Sequence, residues 1–257
     1  MHEPGQLPRV EAQFRLRVGN RTLEATLNLP AEPVAVEELL PALYAFADAY
    51  LEAVRIQARE SGLEISCRPG CGACCAQLVP LSEAEALRLA RLVQQMPAPR
   101  RHQILGRFRL LRQKLEDAGL WERLRDTEAL PDLEIRRRIG IEYFSLGVPC
   151  PFLENQSCSI YPDRPMRCRE YFVTSPAVHC ADPSPETVKV LPLPVKFSEV
   201  LYCFGDGRGF ENTRWVPLSH LFDWMERNET RQPVLLPAVE MFRNFLVQIA
   251  PPRRPAA

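Results

Sequence analysis

Cys67-Arg68-Pro69-Gly70-Cys71-Gly72-Ala73-Cys74-Cys75 places four thiols within nine residues, in a stretch broken by one proline and two glycines. No regular element survives that punctuation, so the segment must be loop, and helices or strands have to be arranged around it. Its glycines permit tight turns and leave backbone amides free. The short spacings let neighbouring thiolates converge on one ion, and the free amides offset their negative charge. Cys71-x-x-Cys74 is a pincer spacing that by itself also serves thiol redox chemistry. Four thiols together point to metal. Adjacent Cys74 and Cys75 in a glycine-rich loop are not core packing, although an isolated cysteine often is just that.

Far downstream a second segment runs Cys150-Pro151-Phe152-Leu153, Cys158-Ser159-Ile160-Tyr161, Arg164-Pro165 and Cys168-Arg169-Glu170-Tyr171, followed by His179-Cys180. Pro151, Pro162 and Pro165 stiffen the chain between thiols and lower the entropy lost when ligands assemble. Arg164, Arg167 and Arg169 flank Cys168. A centre of four thiolates carries net negative charge, and guanidinium groups offer donors to offset it; the same arginines also read as a solvated surface patch.

The two segments together resemble the YkgJ-type cysteine-cluster family, whose domain is described as zinc- or iron-chelating. The resemblance spans about residues 65–181 and rests on Cys71-Gly72-Ala73-Cys74-Cys75 with the downstream Cys-Pro-Phe-Leu, Cys-Ser-Ile-Tyr, Arg-Pro and Cys-Arg-Glu-Tyr pieces. It implies metal binding by Cys71, Cys74, Cys75, Cys150, Cys158 and Cys168. The chain departs from the family's C-x-x-C-x-x-C-C form, because three residues separate Cys67 from Cys71. Some relatives are similar to bacterial flagellin lysine N-methylases, which carry further sequence with no match here.

Reading the residues alone, eight cysteines (67, 71, 74, 75, 150, 158, 168 and 180) are candidate metal ligands. They suffice for two four-thiolate sites, or for one iron–sulfur cluster with thiols to spare. Zn²⁺ and [4Fe–4S] both accept four thiolates, so donor type does not separate them. Adjacent Cys74 and Cys75 direct their side chains differently, which favours two centres or a polynuclear cluster, and the reading leans to iron–sulfur. His179 reads either as a ligand or neighbour of the centre, or as an exposed loop residue. Cys203, in the strand-like stretch Leu201-Tyr202-Cys203-Phe204, reads as core. Gly205-Asp206-Gly207-Arg208-Gly209 lacks the lysine of a phosphate-binding loop and reads as a turn.

Working outward, Phe14, Leu16 and Val18, then Leu23, Ala25, Leu27 and Leu29, alternate across Gly19-Asn20, predicting a β-hairpin. Leu39, Leu43, Phe46, Ala47, Tyr50 and Val54 recur at helical spacing over 36–60, with a stop at Gly62. Ser82 and Glu85 form a capping box for a helix to Met96. A helix over 99–118 puts Ile104, Phe108, Leu111 and Leu115 on one face, and Asp132 starts another that ends near Gly147. Val188 to Val195 reads as a strand interrupted by Pro192 and Pro194, fit for a sheet edge. Two helices close the chain, over 218–227 and 234–249, with Trp215, Phe222 and Trp224 packed inward. The expected fold is mainly α (α+β), with helices around an irregular cysteine-rich centre and an N-terminal β-hairpin. Residues 11–250 read as one domain between disordered tails at 1–10 and 251–257.

Among 257 residues, Lys plus Arg equals Asp plus Glu at 32 each, so no global field draws the chain to nucleic acid or to an acidic membrane. No apolar run suits a membrane span or a signal peptide. The expectation is a cytoplasmic protein with reduced thiols, and nine cysteines cannot all pair internally. Three functions fit: a metal-binding or iron–sulfur protein with a redox, metal-handling or regulatory role; an iron–sulfur-dependent enzyme, with methyl transfer the family-level suggestion; and a structural zinc site in a protein that binds a protein partner.

Overall fold

The computed structural model describes residues 8–18, 21–127, 132–184, 186–204, 214–230 and 232–249. The Gly19-Asn20 turn, the Gly205–Gly209 stretch and residues 251–257 lie outside them.

The predicted hairpin forms. β1 (Arg9–Val18) and β2 (Arg21–Pro30) run antiparallel with Val10 opposite Leu29, Ala12 opposite Leu27 and Phe14 opposite Ala25. That register sets the apolar positions on one face; a one-residue slip would turn them all outward. β1 starts at Arg9, so the end of the expected tail is strand. After β3 (Pro33–Val34), α1 (Val36–Glu60) buries the predicted face, with Leu39, Leu43, Phe46 and Ala47 fully covered. The helix ends as Gly62 takes φ +79°, letting Gly62 N–H reach Arg59 O and Leu63 N–H reach Ala58 O.

β4 (Pro80–Leu81) leads into α2 (Glu83–Gln95), capped by Ser82 and Glu85 as expected. α3 (Ala98–Asp117) buries Ile104, Phe108, Leu111 and Leu115, and Gly119 (φ +66°) stops it. α4 (Trp121–Arg125) follows immediately, and five residues are too few for any periodicity to show. α5 (Leu133–Ser145) is capped by Asp132, whose carboxylate accepts from the Glu134 and Ile135 amides. The second cysteine segment contains β5 (Leu153–Glu154), β6 (Ser157–Cys158) and the single turn α6 (Met166–Arg169).

Three expectations are corrected beyond this point. Val188 to Val195 forms no strand; Val190 bridges Val173 alone, because Pro192 and Pro194 have no amide to continue a ladder. Leu201 is not in a strand but ends α7 (Phe197–Leu201). The two closing helices are shorter at their starts. A 3₁₀ turn at Leu218–His220 precedes α8 (Leu221–Arg227), and α9 covers only Ala238–Ile249. Val234 and Leu235 are exposed, and β8 (Leu236–Pro237) pairs with β3, while β7 (Val216–Pro217) pairs with β4.

Three apolar groups carry the fold. Phe46 of α1 lies at the centre of the first, with ring centroids 4.7 Å from Phe14 of the hairpin and 5.3 Å from Phe197 of α7, and α9 adds Phe242 and Phe245. The second joins α2, α3 and α8, and the third packs Leu111 and Leu115 against Trp121, Tyr143 and Trp215. The second cysteine segment is rooted in two of them, through Met166 and Phe172 in the first and Phe152 and Ile160 in the second. That rooting holds thiols at fixed places although their backbone is irregular.

Candidate metal centre

The first cysteine loop turns back on itself through Cys71 N–H to Arg68 O and Cys75 N–H to Gly72 O, the latter beginning the 3₁₀ turn Ala73–Ala76. It meets the second segment through the backbone: Cys150 N–H donates to Cys75 O at 2.6 Å. Beside that bond, Gly72 lies against the β5–β6 hairpin. A Cβ there would stand 2.8 Å from Leu153 Cδ1 and 3.2 Å from Gln156 Cα, so only glycine fits without displacement. The hairpin turns on Asn155 and Gln156, with φ of +47° and +60°, and this returns Cys158 to a position opposite Leu153. At the other end of the loop, Ser66 N–H donates to Val173 O, and Val173 N–H donates to Cys67 Sγ at 3.2 Å.

Cys168 is placed by a buried carboxylate. Glu85 Oε1 accepts the Met166 amide at 2.7 Å, at the first residue of α6, while Oε2 accepts from Ser82 N–H and Oγ–H and Oε1 also takes the Tyr44 hydroxyl. One side chain thus caps α2 and α6 and ties both to α1. Arg169 pins the same loop. It is 3% exposed, donates to both oxygens of Asp48 on α1 and to the carbonyls of Arg164 and Pro162, and covers the Tyr44 ring. Arg169 is therefore not a solvated charge, and its guanidinium acts against the upward shift of Cys158. Glu170 is buried too, accepting from Ser198 N–H and Oγ–H. The S-x-x-E pattern announced the first role of Glu85. Nothing local announced its second, nor the parts of Tyr44, Asp48 and Gly72.

Cys67, Cys71, Cys74, Cys75, Cys150, Cys158, Cys168 and Cys180 all line one open cleft of about 1730 Å³. Cys203 does not line it; it is buried in the core. His179 is likewise outside the lining, with Nδ1 3.0 Å from Thr187 O. Two neighbourhoods emerge within the cleft. A thiolate at Cys67, Cys74 or Cys71 would act on Cys180, whereas one at Cys150, Cys74 or Cys158 would act on Cys168. Cys74 belongs to both. Among the described residues no three Cys, His, Asp or Glu side chains stand closely enough to hold one ion as they are.

Burial disfavours the thiolate form at six of the eight. It pushes Cys150 up to about 12 and raises Cys67, Cys158, Cys168 and Cys180. Cys74 is raised first by its hydrogen bond with Cys75 and then by burial. Backbone amides act the other way, Phe152 N–H on Cys150, Ile160 N–H on Cys158 and Val173 N–H on Cys67. Such N–H groups favour thiolate once a cation replaces the protons. Soft sulfur donors in surplus, with amides directed at several of them, fit zinc or iron.

The fold and the cleft define a helical domain with a cysteine-lined cleft. Residues 66–185 match the model of the CxxCxxCC family, "Putative zinc- or iron-chelating domain", the family that the cysteine pattern resembles. No curated protein and no solved structure matches the chain.

Proposed function

We propose that the cleft thiols hold iron as an iron–sulfur cluster, and that the protein serves a redox, metal-handling or regulatory role. One observation carries the reading: eight of nine cysteines, drawn from two distant segments, line a single cleft, and the ninth is excluded from it. The meeting of two thiol neighbourhoods at Cys74 supports a polynuclear or paired arrangement over one mononuclear ion. Cys150, Cys158 and Cys168 would act on one side, Cys67, Cys71 and Cys180 on the other, with Cys74 and Cys75 between. An iron–sulfur cluster supplies one-electron chemistry at a potential set by its thiolates and by hydrogen bonds to sulfur. Zinc on the same donors is the competing occupant. A purely structural zinc site is the weaker reading, because eight thiols are twice what one tetrahedral zinc takes.

The size of the cleft favours a second reading, an enzyme that uses the metal on a bound substrate, in line with the similarity of some relatives to flagellin lysine N-methylases. About 1730 Å³ is far more than a metal centre fills.

Metal content per chain tests the assignment. Cys74→Ser and Cys168→Ser should each lower it, and Cys203→Ala should leave it unchanged. Full metal in both serine variants would contradict a centre shared by the two segments.

A further inference from the structure

The chain is balanced in charge, yet its cleft is not. Among the described residues, eight arginines and four carboxylates line it, with no lysine or histidine. The carboxylates are already engaged: Asp48 with Arg169, Glu52 with Arg55, Asp163 with Arg88 and Glu199 with Lys196. Arginine therefore outnumbers carboxylate two to one on the cleft wall.

Several of these arginines also carry an unpartnered buried donor. Five buried side-chain polar atoms among the described residues lack a hydrogen-bond partner, and three of them are the Nε atoms of Arg55, Arg88 and Arg164, all on the cleft wall. A buried donor left unpaired is destabilising, so three on one cleft wall call for an acceptor. Arg164 is held ready for one. Its guanidinium carbon lies over the Tyr161 ring, 4.0 Å from the centroid, and its Nε has no hydrogen-bond partner. Arg55 is steadied over Phe172 and by Glu52, and Arg88 by Asp163. A planar guanidinium edge matches the two oxygens of a carboxylate or phosphate, and Tyr161, Tyr171, Phe172 and Trp215 give the cleft apolar walls for an organic body.

We infer that the cleft binds a small organic oxyanion, a carboxylate or phosphate ester, through Arg164 with Arg55 and Arg88, beside the thiols. The inference does not rest on which metal the thiols hold, or on whether they hold one.

Calorimetric titration of the full chain tests it, with inorganic phosphate in one arm and succinate in the other, on protein as purified and after chelation of its metal. One of the two anions should bind saturably in both states. Arg164→Gln should weaken that binding about tenfold or more, the scale of a charge-assisted hydrogen bond. Arg164→Lys, which keeps the charge but loses the fork, should fall between, and it serves if the glutamine variant does not fold. Exposed Arg112→Gln should change nothing. Phosphate binding alone would assign a phosphate ester, and succinate alone a carboxylate. No saturable binding of either anion, equal binding by the Arg164 variants, or binding that appears only after metal removal would overturn the inference. In that last case the arginines serve the thiolate centre itself.

Discussion

The amide of Cys150 donates to the carbonyl of Cys75 at 2.6 Å, joining the two cysteine segments through their main chains. The bond is independent of side chains and of metal. It places the last thiol of the first loop and the first thiol of the second in register, which lowers the ordering cost of assembly.

Gly72 guards that junction. Gly72→Ala would drive a methyl group into Leu153 Cδ1 at 2.8 Å and toward the Gln156 backbone at 3.2 Å. The side chain can yield, but the backbone of a tight turn yields less. The expected outcome is a loss of about 1–3 kcal/mol, the usual cost of overpacking, together with lower metal content. Unchanged thermal unfolding and full metal would show that the segments are not clamped there.

Glu85→Ala should be among the most damaging changes outside the cysteines. It strands the Met166 amide, the Ser82 amide and hydroxyl and the Tyr44 hydroxyl in a buried place. A cost of about 3–5 kcal/mol is expected, as for breaking a buried charged network. Denaturant unfolding measures it. The same variant should bind less metal, since α6 and Cys168 lose their anchor.

Arg169→Lys should destabilise by about 2 kcal/mol or more, because three donors on one nitrogen cannot make the four bonds that Arg169 makes from three spread nitrogens. Were Arg169 a solvated surface charge, the change would be nearly silent in the same unfolding experiment.

His220 supplies a pH dependence away from the thiols. It is 1% exposed, stacked on Trp121 at 3.7 Å, with Nε2 2.9 Å from Trp121 O, and burial lowers its pKa to about 4 from an ordinary 6.5. A depressed histidine contributes stability that is fully present above the unfolded value and is lost as pH falls through the folded one. Chemical denaturation should therefore show about 3 kcal/mol lost between pH 6.5 and 4. His220→Gln should flatten that slope while lowering the plateau; an unaltered slope would remove His220 as its source.

Much of this architecture is legible in the sequence where local chemistry decides it. Ser82 with Glu85, Asp132, Gly62 and Gly119 mark helix ends through caps that need only a few neighbours, and the hairpin alternation gives its register. The misses have physical reasons. α4 and α7 are single short helices held by tertiary packing, and Phe197 is helical because it stacks between Phe46 and Tyr50 rather than by propensity. The β3–β8 pairing joins residues some two hundred positions apart, which no local pattern encodes. At the site, thiol spacing made the eight cysteines readable as one set. The buried role of Arg169 was not, because a charged residue among arginines looks the same in sequence whether it faces water or a carbonyl.

The most direct test of the central claim is metal and acid-labile sulfide analysis, with an absorbance spectrum, on protein purified without oxygen. The account predicts iron with stoichiometric sulfide and a broad band near roughly 400 nm, as for thiolate-ligated clusters. Colourless protein containing zinc and no sulfide would contradict it.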